Sequence, residues 1–321
     1  MIRQAVEGST NGSCSLVIAK LSNRMVNGHF VKVTGGAFSM MKSVALWKSK
    51  KKDSVRPIGI GDALKGVITR AHCDQIRLTL ADLVEKHQLG MLEGGYETGV
   101  HTMRALANQC KSDGEVILIY DLRNAFNSCS RNPLVLLAAI IPKIAHFVHW
   151  LYAEESELFS STGETIISSE GVHQGCGLSN LLFILLMRYV MRHLPVSGLS
   201  AKGSYLDDAF TKSSPRAALE SIKAILDLEA KTNLGLKFSK CYLHAPNEEI
   251  AQECRELFAS VKDIKIRSNM NLTFLKTPIG ADEFVEAELT EKLKFLSQKV
   301  EAISKMPFKL EAFTLLRTCW S

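Results

Sequence analysis

Three aspartates carry the chemistry this chain can offer. Asp207 and Asp208 are adjacent in Tyr205-Leu206-Asp207-Asp208, after a short apolar run from Ser204 to Leu206. Asp121 ends a second apolar run, Val116-Ile117-Leu118-Ile119-Tyr120. Short runs rich in β-branched and aromatic residues read as buried strands. If the two strands pair, three carboxylates meet at one spot, which like charge disfavours unless a cation neutralises it. All-oxygen ligands select Mg2+, commonly held by one or two carboxylates together with substrate phosphates. Nucleotidyl transfer needs that arrangement. Taken alone, an Asp pair is also what a tight turn favours without any metal.

The elements that must position these acids follow from the pattern along the chain. Residues 16 to 27 read as a short helix. Trp47 to Ile60 reads as a basic hairpin, with Lys48 and Lys50 to Lys52 near its turn and Arg56-Pro57-Ile58-Gly59-Ile60 as its second arm. Asp62 can cap a helix that runs to about Leu80. A glycine-rich loop, Gly90 to Gly95, precedes a helix from about Gly99 to Cys110. Asn132-Pro133 opens the next helix, with Asn as N-cap and Pro in the first turn. Leu134 to Leu151 reads as two buried helices interrupted at Pro142-Lys143, and not as a membrane span. A hairpin is predicted over 157–159 and 165–168, a core helix over 178–194, and amphipathic helices over 215–232 and 248–261. Residues 263 to 285 look strand-like, and Leu289, Leu293, Leu296, Val300 and Ile303 mark one more amphipathic helix. Mixed elements without regular alternation make the fold class α+β.

Bulk properties narrow the class only a little. The 321 residues, 46% of them hydrophobic, suit one large or two modest globular domains. Lys and Arg outnumber Asp and Glu by 39 to 33, a mild basic excess compatible with a polyanionic partner. The eight cysteines form no CxxC pair and read as scattered reduced thiols in an intracellular protein, cytoplasmic or nuclear. The polar start, Met1 to Ser15, has no signal-peptide pattern.

Together the segments resemble a reverse transcriptase of the kind encoded by non-LTR retrotransposons, over nearly the whole chain and in that family's motif order. Arg56 to Gly61 looks like the fingers motif, and Gln88-Leu89-Gly90 with Gly94-Gly95, Glu97 and His101 looks like the next fingers block. Asp121 to Ser128, with Arg131, is similar to the first palm motif. Gly171-Val172-His173-Gln174-Gly175 resembles the glutamine-glycine motif, and Tyr205 to Asp208 matches the metal-binding hairpin. Gly235-Leu236 with Lys240-Cys241 resembles the lysine-bearing motif. Leu275 to Gly280 looks like the primer-grip segment. Any one of these is weak evidence; seven in order are strong.

The resemblance implies a right-hand polymerase: fingers over 1–110, a palm with an antiparallel sheet over 111–286, carrying a finger insertion at about 131–170, and a truncated helical thumb over 287–321. It implies an RNA-directed DNA polymerase using two Mg2+ ions, an RNA template, a DNA primer and dNTPs, with no membrane. Asp121 and Asp207 would bridge the ions and Asp208 would assist. Phe126 would be a steric gate against the ribose 2′-hydroxyl. Arg56 would bind the triphosphate through its fork of donors. Gln174 would brace the nascent base pair and Gly175 would let backbone approach a nucleotide. Tyr205 would contact substrate, and Lys240 would donate a proton to the departing pyrophosphate or neutralise it. His101, near Val100 and Met103 on a predicted helix, reads as a satisfied structural histidine.

Three features depart from the family pattern. Cys176-Gly177-Leu178-Ser179-Asn180 stands where the family places an acidic residue and prolines after Gln-Gly. The Gly235 to Lys240 spacing is short. The stop at Ser321 leaves a partial thumb, so the chain reads as a piece of a longer polyprotein, a domesticated remnant or an incomplete gene model. Two rival readings follow: a non-catalytic nucleic-acid-binding remnant, and an RNA-dependent RNA polymerase, against which Phe126 argues.

Overall fold

The computed structural model describes residues 13–29, 40–47, 55–61, 63–83, 88–160, 162–195 and 197–319. The elements, in chain order, are α1 (Ser13–Val26), β1 (Met41–Trp47), β2 (Val55–Gly61), α2 (Ala63–Leu83), a 3-10 turn at Leu89–Met91, α3 (Gly95–Asp113), β3 (Val116–Tyr120), α4 (Ala125–Ser128), α5 (Arg131–Ala138), α6 (Pro142–Tyr152), β4 (Ser156–Phe159), β5 (Thr165–Ser168), α7 (Ser179–His193), β6 (Leu199–Tyr205), β7 (Asp208–Ser213), α8 (Pro215–Thr232), a 3-10 turn at Phe238–Lys240, β8 (Tyr242–His244), α9 (Glu248–Leu257), β9 (Lys265–Arg267), β10 (Leu272–Phe274), β11 (Thr277–Ile279), α10 (Asp282–Ser304) and α11 (Lys309–Cys319). The class is α+β.

β3 is the centre of a five-stranded sheet ordered β6-β7-β3-β8-β9. Its apolar run needs no polar face because both sides of the sheet are covered. Val116, Leu118 and Tyr120 join the main core with α5, α6, α7 and α8. Ile117 enters a second core with Phe210, Val100 and Met103 of α3, and Leu272 and Phe274 of β10. Alternate residues of one strand thus hold together two helical layers, as the period of a strand requires. β3 runs antiparallel to β7 and β8, while the outer pair, β8 with β9, is parallel. The expected antiparallel sheet is therefore mixed at its edge.

A second sheet, ordered β2-β1-β4-β5, pairs the basic hairpin with the β4–β5 hairpin through a parallel β1–β4 contact. The ends of its β4–β5 hairpin are held by Arg131. The buried guanidinium donates to the carbonyls of Gly171, Glu154, Ser168 and Glu170 and to Ser168 Oγ, at 2.7 to 3.3 Å. β10 and β11 form a separate two-stranded hairpin.

Helix ends follow ordinary capping chemistry. Ser214 and Asn247 accept from the amides of Ala217 and Ile250 to open α8 and α9, and Asn233 closes α8 in the left-handed region. Several boundaries differ from the sequence expectation. α3 begins at Gly95, four residues before the predicted start, and α5 is capped at Ser130 rather than Asn132. Residues 282 to 285, expected to be strand-like, are the first turn of α10. The helix opens on Asp282 and Glu283, which suit the positive end of its dipole. The Asp62 cap lies outside the described residues. Among those residues no helix is long and apolar enough to cross a membrane. Cys73, Cys110, Cys129, Cys176, Cys241 and Cys254 are free thiols.

Candidate active site

Register decides which acids meet. Tyr120 stands opposite Ala209 across the β3–β7 ladder, so Asp121, one residue on, lies alongside Asp208. Tyr205 pairs with Asp208 to close the β6–β7 hairpin, leaving Leu206 and Asp207 as its turn. Leu206 has φ +55°, a region in which a β-carbon is crowded. Asp208 records its surroundings. Desolvation, followed by the charges of Asp207 and Asp121, raises its carboxyl to about 6, with Lys276 opposing. Its side chain still reaches solvent, so this is the desolvation of a crowded cleft and not of a sealed interior; the like charges are the more durable part of the effect.

The apolar run before the acids does not pair with β3 as expected: it lies in β6, and β7, which begins at Asp208, stands between the two. The three acids nevertheless sense one another. The expectation that they gather into one ligand group is not met: among the described residues no three His, Cys, Asp or Glu side chains form a group that would hold a metal ion. Physical reasons lie beside them. Uncompensated carboxylates repel, and two of the three have another attraction. Lys240 Nζ is 3.9 Å from Asp121 Oδ2, and Lys276 acts on Asp208. The donor set is nevertheless all hard oxygen, and the crowding at Asp208 is the negative potential that a divalent cation relieves.

Asp207 faces a cavity of about 1060 Å³. Its walls are α2, from Ala63 to Asp74, the loop Gln174 to Gly177, Leu206 of the hairpin turn, and Phe126. The structure therefore brings Asp207, Phe126, Gln174 and Gly175 to one space. Phe126 is half-buried, its ring stacked on Phe183 at 4.3 Å and 21°. Gly175 has φ +111°, and a β-carbon there would lie 2.3 Å from Gly59 O. Gln174 O also accepts from the Gly59 amide at 2.9 Å. The close approach expected toward a nucleotide is thus an approach to strand β2. Glycine is needed there because the loop is docked on the neighbouring sheet.

The remaining predicted residues sit at the margins. Tyr205 meets Tyr96 edge-on, with ring centroids 6.5 Å apart. Lys240, 57% exposed, is tied to the acids only by its long ion pair with Asp121, the kind that solvent weakens. Arg56 lies in β2 opposite Leu46; its side chain, like Lys48 and Lys50 to Lys52, lies outside the described residues. His101, expected to be packed, is exposed on α3, because the buried face of that helix is Val100, Met103, Leu106 and Ala107. Sequence reasoning missed Arg70, which lines the cavity on α2 but has Asp74 four residues on and so reads as part of a solvated face.

Residues 48–299 match the profile of the reverse transcriptase (RNA-dependent DNA polymerase) family. The chain belongs to the reverse transcriptase family. Among solved structures it resembles telomerase from Candida tropicalis in complex with the TWJ fragment of telomeric RNA, with a TM-score of 0.53 and 13% identity over 76% of this chain and 44% of that one. A form of that telomerase without ligand, truncated of its C-terminal domain, gives a TM-score of 0.49 and 17% identity over 70% of this chain and 54% of that one. At these identities the likeness is one of fold. The chain spans less than half the length of the first telomerase. No curated protein matches it. In this member of the family Asp121 and Asp208 lie alongside one another at the ends of β3 and β7, with Lys240 near the first and Lys276 acting on the second.

Proposed function

We propose that the chain is an RNA-directed DNA polymerase core of retrotransposon type, adding dNTPs to a primer 3′ end with release of pyrophosphate. The observation that carries this reading is the register that sets Asp121 beside Asp208, with Asp207 on the turn facing the cavity that Phe126 and Gln174 line. In this reading 1–110 are fingers, 111–286 palm with a finger insertion at 131–170, and 287–321 part of a thumb. Asp121, Asp207 and Asp208 would hold two Mg2+ ions. When bound, Mg2+ supplies activation of the primer 3′-hydroxyl and neutralises charge at the leaving pyrophosphate.

The chain's own residues divide the remaining work. Phe126, fixed by its stack on Phe183, occupies volume next to the nucleotide sugar and so favours deoxynucleotides. Gln174, tethered to β2 through Gly59, presents its side chain to the nascent base pair. Tyr205 fixes the hairpin arm beside the substrate. Arg56 contacts the triphosphate, and Lys240, already near Asp121, meets charge on the pyrophosphate. A second reading, a nucleic-acid-binding remnant, is favoured by the ungathered state of the acids among the described residues.

One assay separates the two. Protein is given a primed RNA template, Mg2+ and either dNTPs or rNTPs, beside an Asp207→Ala/Asp208→Ala variant and Phe126→Ala. Extension with dNTPs is expected to vanish in the double variant, and Phe126→Ala is expected to lower the preference for dNTPs over rNTPs by about tenfold or more. RNA bound without extension establishes the remnant reading. Extension by wild type that prefers rNTPs overturns the deoxynucleotide assignment.

A further inference from the structure

The turn that carries Asp207 is built in a conformation its own residues resist, so something else must hold it. Leu206 has φ +55° in a position where glycine or asparagine is the usual occupant. A residue held in that region persists only where its surroundings over-determine it. Leu206 packs against the main core, and one side chain bonds the turn's backbone. Gln88, 2% exposed, accepts from the Leu206 amide at 3.1 Å through Oε1 and donates through Nε2 to the buried Ser204 Oγ at 3.0 Å. The same Oε1 accepts from the Gly90 amide at 3.1 Å, which fixes the side chain to its own loop. The backbones of Gln88 and Ser204 meet in an isolated parallel bridge. There is no spare room: a β-carbon on Gly90 would lie 3.1 Å from Leu206 Cδ2 and 3.2 Å from its amide nitrogen.

The same segment holds a second strained turn. Leu275 and Lys276, between β10 and β11, have φ +49° and +62°. Two successive left-handed residues are the signature of a tight hairpin turn that asparagine and glycine normally supply. The Tyr96 hydroxyl donates to Leu275 O at 3.1 Å, which leaves its oxygen to accept from Thr277 Oγ1 at 2.6 Å. The Tyr96 ring meanwhile lies edge-on to Tyr205. Lys276, on this turn, is the cation that acts on Asp208.

We propose that Gln88 and Tyr96 are positioning residues: the segment from Gln88 to Gly99 is a brace that fixes the Leu206-Asp207 turn and the Leu275-Lys276 turn relative to one another. That both turns serve catalysis rests on the polymerase reading; the brace itself does not. Gln88 acts on Asp207 and Asp208 through backbone, touching neither substrate nor metal. Its amide is matched to the task, since it presents an acceptor to two amides and a donor to a hydroxyl at once. Methionine fills similar volume with none of these bonds, and glutamate keeps the acceptor while losing the donor.

The test is hydrogen exchange on the full chain, wild type against Gln88→Met, Gln88→Glu and Tyr96→Phe, with primer extension measured in parallel. In Gln88→Met the peptide containing Leu206 is expected to exchange about tenfold faster while the β3 peptide does not change, and Gln88→Glu restores its protection. In Tyr96→Phe the faster peptide is the one spanning 274–278. Primer extension by Gln88→Met is expected to lose about tenfold in kcat with the dNTP KM little altered. Exchange at Leu206 unchanged in Gln88→Met overturns the brace, as does acceleration spread evenly through the sheet, which would make Gln88 an ordinary core residue. Wild type that extends no primer defeats the polymerase reading alone, because the exchange comparison still decides the brace. Wild type that extends while Gln88→Met keeps its kcat defeats the positioning role.

Discussion

At the scale of single residues, the site depends on a few positions where backbone has no alternative. Gly175 is one. Its φ of +111° and the 2.3 Å that would separate a β-carbon from Gly59 O exclude any side chain without a shift of the loop or of β2. Gly175→Ala is expected to destabilise the fold by roughly 2–4 kcal/mol, read as a lower urea midpoint with an unchanged m value. A change under about 0.5 kcal/mol would show that the loop moves freely off the sheet and that the docking is incidental. The sequence singles out this glycine through its Gln-Gly pair but assigns its close approach to a nucleotide. The partner that needs the space is Gly59, over a hundred residues earlier, and no local pattern points to it.

At the scale of elements, Arg131 shows how a buried cation can do the work of a strand. Its guanidinium satisfies the carbonyls of Glu154, Ser168, Glu170 and Gly171, which bracket the β4–β5 hairpin and lead into the Gln174 loop. Arg131→Met is expected to cost roughly 2–4 kcal/mol, because several buried acceptors lose their donor at once. Limited proteolysis should then cut the hairpin near Gly163 before the rest of the chain, whereas uniform digestion would show that the clamp is not local. Elements of this kind divide what can be read from sequence from what cannot. The apolar run of β3 and the core helix α7 are legible because burial makes each almost continuously apolar, and the β4–β5 hairpin because turn residues divide two short strand-forming runs, although Ile166 and Ile167 are exposed. The start of α10 is not legible because apolar spacing marks a stripe and not an end, and Phe284-Val285 in its first turn continues the strand-like pattern before it. The contacts of Gln88 span 116 and 118 residues, and hydrogen bonds across such separations leave no periodic trace.

At the scale of the whole molecule, burial lowers the rings of His72, His173 and His244, and the last two shape the response to acid most. Burial, then the positive charges of Lys65 and Arg131, lowers the His173 ring to about 3. Burial, then Arg267, lowers His244 to about 4, against the bond it makes to Asn269 O. Both are neutral in the folded chain and titrate near 6.5 when unfolded. The unfolded state therefore binds more protons between those values. The stability from the neutral rings is fully present above about pH 6.5 and is lost as pH falls toward 4. Between pH 6.5 and 5 each ring is expected to remove roughly 1–2 kcal/mol. His244→Gln should flatten that slope in denaturant titrations at several pH values, and a slope equal to wild type would remove His244 from the account.

Along the far end of the chain the balance of surface is different. Leu293, Phe308 and Leu310 stand 63%, 64% and 78% exposed on α10, α11 and the turn between them, and α10 buries no residue. Fluorophores that brighten on oily surface will already glow in the folded sample, so a dye-based melting curve starts bright and its rise is compressed. Circular dichroism follows unfolding without that background. The same stripe favours retention on phenyl resins at moderate salt, a handle for purification that comes with a demand for dilute, cool storage.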